Sequence, residues 1–206
     1  KRFHNARPQP RAPYPIRARK YFAVNDDPKV LNEMYLKLFG KDMRLTEEAK
    51  WQAVTHKSFD HGRQPYNAKL RFLGKKLLEL HASFHLLERP LKGSGLKDKE
   101  GKPQKYFSLE GAQYQSPEPF LHDDYKNLEN VSSTRIEGYI STARLLPLAK
   151  EVELHKVMRW KPAQINDLDR SGQDVVAMEC LYAIVGAVAL QKGGKIAGEF
   201  IDERVL

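Results

Sequence analysis

The most constraining feature of this chain is a stretch near its C-terminal end. After the helix-start residues Ser171-Gly172-Gln173-Asp174, the side chains Val175, Val176, Met178, Leu181, Ile184, Val185, Val188 and Leu190 fall nearly all round a helical wheel, until Gly193-Gly194 stops the run. A helix that is apolar on every side leaves no face for water and must be wrapped by other elements. It is not a membrane span by the criterion of uninterrupted length, because no run approaches the roughly 18 consecutive apolar residues required. The run is therefore expected to be central, and with 41% of the 206 residues hydrophobic a real core can form around it.

The remaining periodicity is helical. Asn25, Asp26 and Asp27 offer caps before Pro28, and Val30, Leu31, Met34, Tyr35 and Leu38 keep helical spacing up to Gly40. Thr46 with Glu47 and Glu48 opens a second helix through Ala49, Trp51 and Val54. Asn67 precedes a long pattern with Leu70, Phe72, Leu73, Leu77, Leu78, Leu80, Phe84 and Leu87. Thr134-Arg135-Ile136-Glu137 reads as a capping box before a stripe of Ile136, Tyr139, Ile140, Ala143 and Leu146, with Pro147 expected to kink or end that helix. Ile196, Phe200, Ile201 and Val205 stripe a last helix. No useful β-alternation and no internal repeat interrupts this, so the expected fold class is all-α.

Charge divides the chain differently. The net charge is +9, yet Lys1, Arg2, Arg7, Arg11, Arg17, Arg19 and Lys20 stand in the first 20 residues without one acid. Pro8, Pro10, Pro13 and Pro15 break helix and ladder alike, so residues 1–24 are expected to form an extended basic arm. Seven cations with Phe3 and Tyr14 between them suit phosphates and bases, and these cations are the candidate RNA-binding residues. An Arg-rich, acid-free start that begins with Lys1 also fits the neighbourhood of a transit peptide. Residues 25–206 are expected to form the helical domain, interrupted at about 90–130 by a surface insertion rich in Gly and Pro with balanced charge.

Other candidate chemistry is weak. Cys180, the one cysteine, excludes an intrachain disulfide and a CxxC site, fits a reducing compartment, and reads as an inert core thiol. His81 and His85 lie one helical turn apart but lack a third ligand nearby, so a polar strip is expected rather than zinc. His122-Asp123-Asp124 falls in the insertion and reads as solvated.

Three segments carry a resemblance. Ala53-Val54-Thr55-His56-Lys57-Ser58, Asn67-Ala68-Lys69-Leu70-Arg71-Phe72-Leu73-Gly74-Lys75 and the run from Val176 to Gly194 resemble, in order and spacing, the motifs of the ribonuclease III endonuclease domain. Ile140-Ser141-Thr142-Ala143 and Leu148-Ala149-Lys150 sit where that family has two shorter motifs. The resemblance spans about residues 28–206 and implies the family's helical fold. It also implies dimerisation through the signature-helix region, where Phe72 and Leu73 lie, and a structural role for His56 and Ser58.

The same resemblance implies a missing active site. The family cuts double-stranded RNA with divalent metal held by acidic side chains, and magnesium needs several hard oxygen ligands. At the matching positions stand Arg71 and Lys75 in the signature and Glu179 and Tyr182 in the later helix, while another signature glutamate is matched by Ala68. One carboxylate remains, so no catalytic residue, no bound metal and no cofactor are expected. Arg71 and Lys75 are expected to face Glu179 in an ion pair that replaces a metal-bridged one.

A ribonuclease III fold stripped of acids and carrying a Pro/Arg arm resembles the ribonuclease III-like proteins of the mitochondrial large ribosomal subunit, above all their fungal form. This implies a non-enzymatic ribosomal protein in the mitochondrial matrix. Its implied partners are large-subunit rRNA, neighbouring ribosomal proteins and a homologous ribonuclease III-like subunit. No double-stranded-RNA-binding domain is expected beyond the last helix, so RNA affinity is expected from the arm, the insertion and the fold surface. A silent subunit of an RNA-processing complex is the alternative, and an active double-stranded RNA endonuclease a poorer one.

Overall fold

The computed structural model describes residues 22–88 and 128–206. The arm cations at 1–20, His122-Asp123-Asp124 and most of the 90–130 insertion lie outside the described residues. Seven α-helices appear among them, with no strand: α1 (Pro28–Phe39), α2 (Glu47–Val54), α3 (Ala68–Glu88), α4 (Ser133–Tyr139), α5 (Thr142–Glu151), α6 (Gln173–Lys192) and α7 (Gly194–Phe200). A π-helical turn over Ile201–Val205 ends the chain.

The central helix is α6, as its sequence requires. It packs against α2, α3, α5 and α7. Met178, Cys180, Leu181, Ala183, Ile184, Val185, Ala187 and Val188 are buried along it, and of its apolar side chains only Val175 and Leu190, near its ends, stand out in solvent. Its length and mean hydropathy match those of a membrane-crossing helix, although polar residues interrupt its apolar run. Here the apolar side chains are buried by neighbouring helices, as in a core helix.

The tightest contact is between α6 and α3. A Cβ added to Gly74 would lie 1.8 Å from the Tyr182 carbonyl oxygen, and one added to Gly186 would lie 2.2 Å from that of Leu70. The two glycines therefore let the backbones touch where the helices cross. Leu70, Leu78, Ala82 and Leu86 continue the buried line of α3 on either side of Gly74.

Local chemistry explains most boundaries. Asp27 caps α1 by accepting from the Lys29 amide at 2.9 Å, Pro28 fills the first turn, and Gly40 closes the helix at φ +68°. Thr46 caps α2 through the Ala49 amide. Tyr35 is buried and its hydroxyl donates to the Lys50 carbonyl at 3.1 Å, tying α1 to α2.

Three expectations are corrected. The helix cap before α4 is Ser132, whose hydroxyl accepts from Arg135, so Thr134 lies inside the helix and makes no capping box. The stripe drawn through Ile136 to Leu146 is two helices broken at Ile140 and Ser141; Leu145 and Ala149 are the buried residues of α5, and Ala143 is exposed. Pro147 sits inside α5 without ending it. Both Pro147 and Ala143, whose carbonyl loses its partner, are exposed, so that carbonyl is open to solvent.

Two edges also shift. Asn130, assigned to the insertion, is buried and donates to the Leu86 carbonyl at 3.4 Å, so the fold resumes by that residue. Phe22, assigned to the arm, packs edge-on against Trp160 with ring centroids 6.0 Å apart. Arg159 holds the next residues: it lies over the Trp51 ring at 3.7 Å and donates to Asp26 at 2.6 Å.

The crossing gives a paired test. Gly186→Ala is expected to cost about 3 kcal/mol or more in urea unfolding, because backbone and not a flexible side chain blocks the methyl. Gly138→Ala in α4, where a Cβ meets nothing within 4 Å, is expected to be neutral or to stabilise by about 0.5–1 kcal/mol. Equal effects would contradict the close approach.

Candidate functional site

The segments carrying the motifs converge on the N-terminal halves of α3 and α6. At the end of α2 the Thr55 hydroxyl donates to the Trp51 carbonyl at 2.7 Å, and the chain then forms an isolated parallel bridge with Arg159. The His56 amide donates to the Arg159 carbonyl at 2.8 Å and the Arg159 amide to Val54 at 2.9 Å. The Asn67 amide returns the chain to the Thr55 carbonyl at 2.9 Å. Its buried side chain donates to Ala53 at 3.4 Å and to the Cys180 sulfur at 3.6 Å. Asn67 thus joins α2, the start of α3 and α6, which explains an amide at that place.

Glu179 is the hub. Its Oε1 accepts from the Arg71 guanidinium, and its Oε2 lies 3.3 Å from His56 Nε2. The other ring nitrogen of His56 accepts from the Ser58 amide at 3.2 Å and meets the Ser58 hydroxyl at 2.9 Å. That orientation leaves Nε2 to donate to the carboxylate. The hydrogen bond from His56 is the first cause that holds the Glu179 carboxyl below its ordinary value; partial burial opposes it, and the Arg71 charge adds to it.

The expected pairing is therefore half right. Arg71 meets Glu179, but Lys75 does not: it points along its own helix, 4.0 Å from Glu79, which also takes Lys76 at 2.7 Å. A carboxylate has two oxygens, and those of Glu179 are engaged by Arg71 and His56. Glu79, at i+4 from Lys75 and i+3 from Lys76, was the sequence signal for the alternative pairing. Tyr182 also has a structural bond, its hydroxyl donating to the Ile140 carbonyl at 2.7 Å, where it fastens the break between α4 and α5. Ala68 is half-buried in the first turn of α3.

His81 and His85 point to different elements. His81 Nδ1 lies 3.2 Å from Asp202, its ring against Gly198, while His85 packs edge-on against Tyr139 with centroids 5.4 Å apart. No group of three His, Cys, Asp or Glu placed to hold a metal occurs among the described residues. Burial pushes the Cys180 thiol far up, which keeps it protonated. Outside this cluster, α3 presents Phe72, Leu80 and Phe84 to solvent along one line, Phe72 being 67% exposed; the resemblance had marked Phe72 for an interface, and had not marked Leu80 or Phe84.

This constellation lies within residues 46–206, the part of the chain that matches the family model described as ribonuclease-III-like. The chain belongs to the ribonuclease-III-like family. A relative, the large ribosomal subunit protein mL57 of Neurospora crassa, is 34% identical over 190 residues, covering 91% of this chain and 66% of that protein. Ribonuclease 3 of Pelagibacter ubique is 27% identical over 172 residues, covering 82% of this chain and 57% of that enzyme. The chain thus spans about two thirds or less of the length of these curated relatives. The ribonuclease III nuclease domain of Campylobacter jejuni aligns with a TM-score of 0.55 at 16% identity, over 88% of this chain and 95% of that domain. That likeness shows the ribonuclease III fold, which is all-α here as expected.

The titration of Glu179 tests which ribonuclease-III-like motif residue holds it. Because its carboxyl is depressed, the stability it contributes is present above its unfolded-state value, about 4.3, and is lost as pH falls through the lower folded value. Arg71→Gln is expected to move that titration upward in side-chain carbon NMR, and Lys75→Gln to leave it in place. Equal shifts would mean that Lys75 shares the carboxylate.

Proposed function

We propose that this chain is a structural constituent of the mitochondrial large ribosomal subunit, a ribonuclease-III-like protein that binds rRNA and does not cut it. The observation that carries this reading is the state of Glu179. Of the positions at which the family resemblance implies metal-holding acids, only this one keeps a carboxylate, and both its oxygens face donors of the same chain. The donor set does not fit a divalent ion. Arg71 and Lys75 stand where anionic oxygens are needed, and one already neutralised carboxylate cannot offset their repulsion while supplying the missing ligands. A fold kept while its catalytic charges are reversed is suited to binding.

The ribosomal assignment draws its support from the mL57 relative, similar over 91% of this chain, and the mitochondrial matrix follows from it. In this reading rRNA and neighbouring ribosomal proteins are the partners, and the seven cations of residues 1–20 supply phosphate contacts. The line of Phe72, Leu80 and Phe84 supports a dimer with a homologous ribonuclease-III-like subunit, since three large apolar side chains along one helix face are suited to docking.

Sucrose-gradient sedimentation of a tagged copy from mitochondrial lysate tests the assignment. Stoichiometric comigration with the large subunit, kept when low magnesium separates the subunits, is expected. A peak at the top of the gradient would reject it and favour a free or processing-complex protein. The purified chain is expected to leave double-stranded RNA intact with magnesium or manganese, and metal-dependent cleavage that Glu179→Gln abolishes would overturn the inactive reading. Phe72→Asp is expected to keep the native helical content by circular dichroism and to lose co-purification of a second ribonuclease-III-like chain.

A further inference from the structure

We propose that the loop between Thr55 and Asn67, with the first turn of α3, is a second phosphate-binding surface that takes the sugar-phosphate backbone of a folded RNA. It rests on the reading of the chain as an RNA-binding protein and assigns part of the binding to residues of the folded domain other than the arm cations.

Charge singles the segment out. The described residues hold 21 Lys and Arg against 20 Asp and Glu, close to neutral. Between Lys57 and Lys76 there are six cations, Lys57, Arg63, Lys69, Arg71, Lys75 and Lys76, against Asp60 alone. The rest of the described fold is therefore net acidic, and the positive charge is local. Three of the six are neutralised within the fold, Arg71 by Glu179 and Lys75 and Lys76 by Glu79, as are cations elsewhere: Lys37 and Lys156 by Glu153, Arg159 by Asp26, Arg170 by Asp167 and Arg204 by Glu151. Lys57, Arg63 and Lys69 are exposed, and their side chains make no hydrogen bond or ion pair among the described residues.

The segment is also built in advance. Its two ends are tied at Thr55 by the bridge to Arg159 and by the Asn67 amide. Inside, Gln52 donates to the Tyr66 carbonyl at 3.3 Å, and the Lys161 amide donates to the Ser58 hydroxyl at 2.9 Å. A 3-10 turn over Phe59–Gly62 carries Asp60 at φ +43° and Gly62 at φ +74°. Gly62 brings the two arms of the loop together, a Cβ there lying 3.9 Å from Lys57 Cγ. Lys57 and Arg63 thus project from a closed base, and Lys69 follows within the first turn of α3. Cations on a fixed base lose less freedom on binding than those of a free chain.

RNA fits this surface better than protein does. Lys57, Arg63, Gln64, Pro65 and Lys69 are exposed with no large exposed apolar residue between them. Protein interface cores are depleted in lysine and enriched in aromatics, the composition of the separate Phe72 line. Unpaired Lys and Arg without an apolar centre are what phosphate contacts require.

The test is a salt titration of binding to a labelled RNA duplex by fluorescence anisotropy. It uses the full chain, the triple variant Lys57→Ala, Arg63→Ala, Lys69→Ala, and the chain lacking residues 1–20. The triple variant is expected to unfold in urea at the parent midpoint and to lower the slope of log affinity against log salt by roughly 2–3, at about 0.9 per lost phosphate contact. Lys57→Arg with Lys69→Arg is expected to restore the slope when Arg63 is kept. An unchanged slope in the triple variant, with a flatter one after arm deletion, would overturn this surface and leave the RNA-binding reading standing. A parent chain that does not bind RNA would overturn both. Unchanged RNA binding with loss of the triple variant from the large subunit would assign the cations to an acidic protein surface instead.

Discussion

The contact between Gly74 and Gly186 sets the distance on which the rest of this fold depends. Two helices whose backbones touch bring the side chains flanking the crossing within reach of each other, and in this chain those flanking residues carry the charges. Arg71 stands one turn before Gly74, and Glu179 two turns before Gly186, so their side chains meet across the junction. A methyl at either glycine would separate the helices, disturbing both the packing around Leu78 and Leu181 and the ion pair beyond it. The small residue serves the core and the site at once.

Within the site, the limiting quantity is carboxylate oxygen. Glu179 offers two, and the fold assigns one to Arg71 and one to His56, itself oriented by Ser58. Lys75 consequently turns to Glu79, and Tyr182, beside them on α6, finds the Ile140 carbonyl. Every one of these groups is satisfied within the chain. This arrangement needs no metal to hold the helices together, because an ion pair and two hydrogen bonds link the elements that surround it. It also leaves the positive charge of α3 and its preceding loop facing outward, where a polyanion can reach it.

Much of this was legible from spacing. The all-round apolar run identified α6 as central, Asp27-Pro28 and Thr46 marked two helix starts, and the signature residues located the pair Arg71 and Glu179. Where the reading failed, the reasons are local competition and exposure. Ser132 took the capping role from Thr134 because a hydroxyl two residues earlier was equally competent. Pro147 was tolerated because its defect faces water. Phe72, Leu80 and Phe84 keep helical spacing like core residues, yet the buried line of α3 runs through Gly74 and Ala82, whose small side chains give no apolar signal. His56 reaching Glu179 had no signal in either segment alone.

The sequence by itself determined the all-helical class, the central position of α6 and the cations at 71 and 75, because these depend on periodicity and residue type, which are local properties. Only the tertiary structure decided which cation takes Glu179, which apolar face of α3 stays outside, and that Lys57, Arg63 and Lys69 go unpaired. Those outcomes depend on how closely two backbones approach and on how many oxygens lie within reach, and neither distance is written in the order of residues.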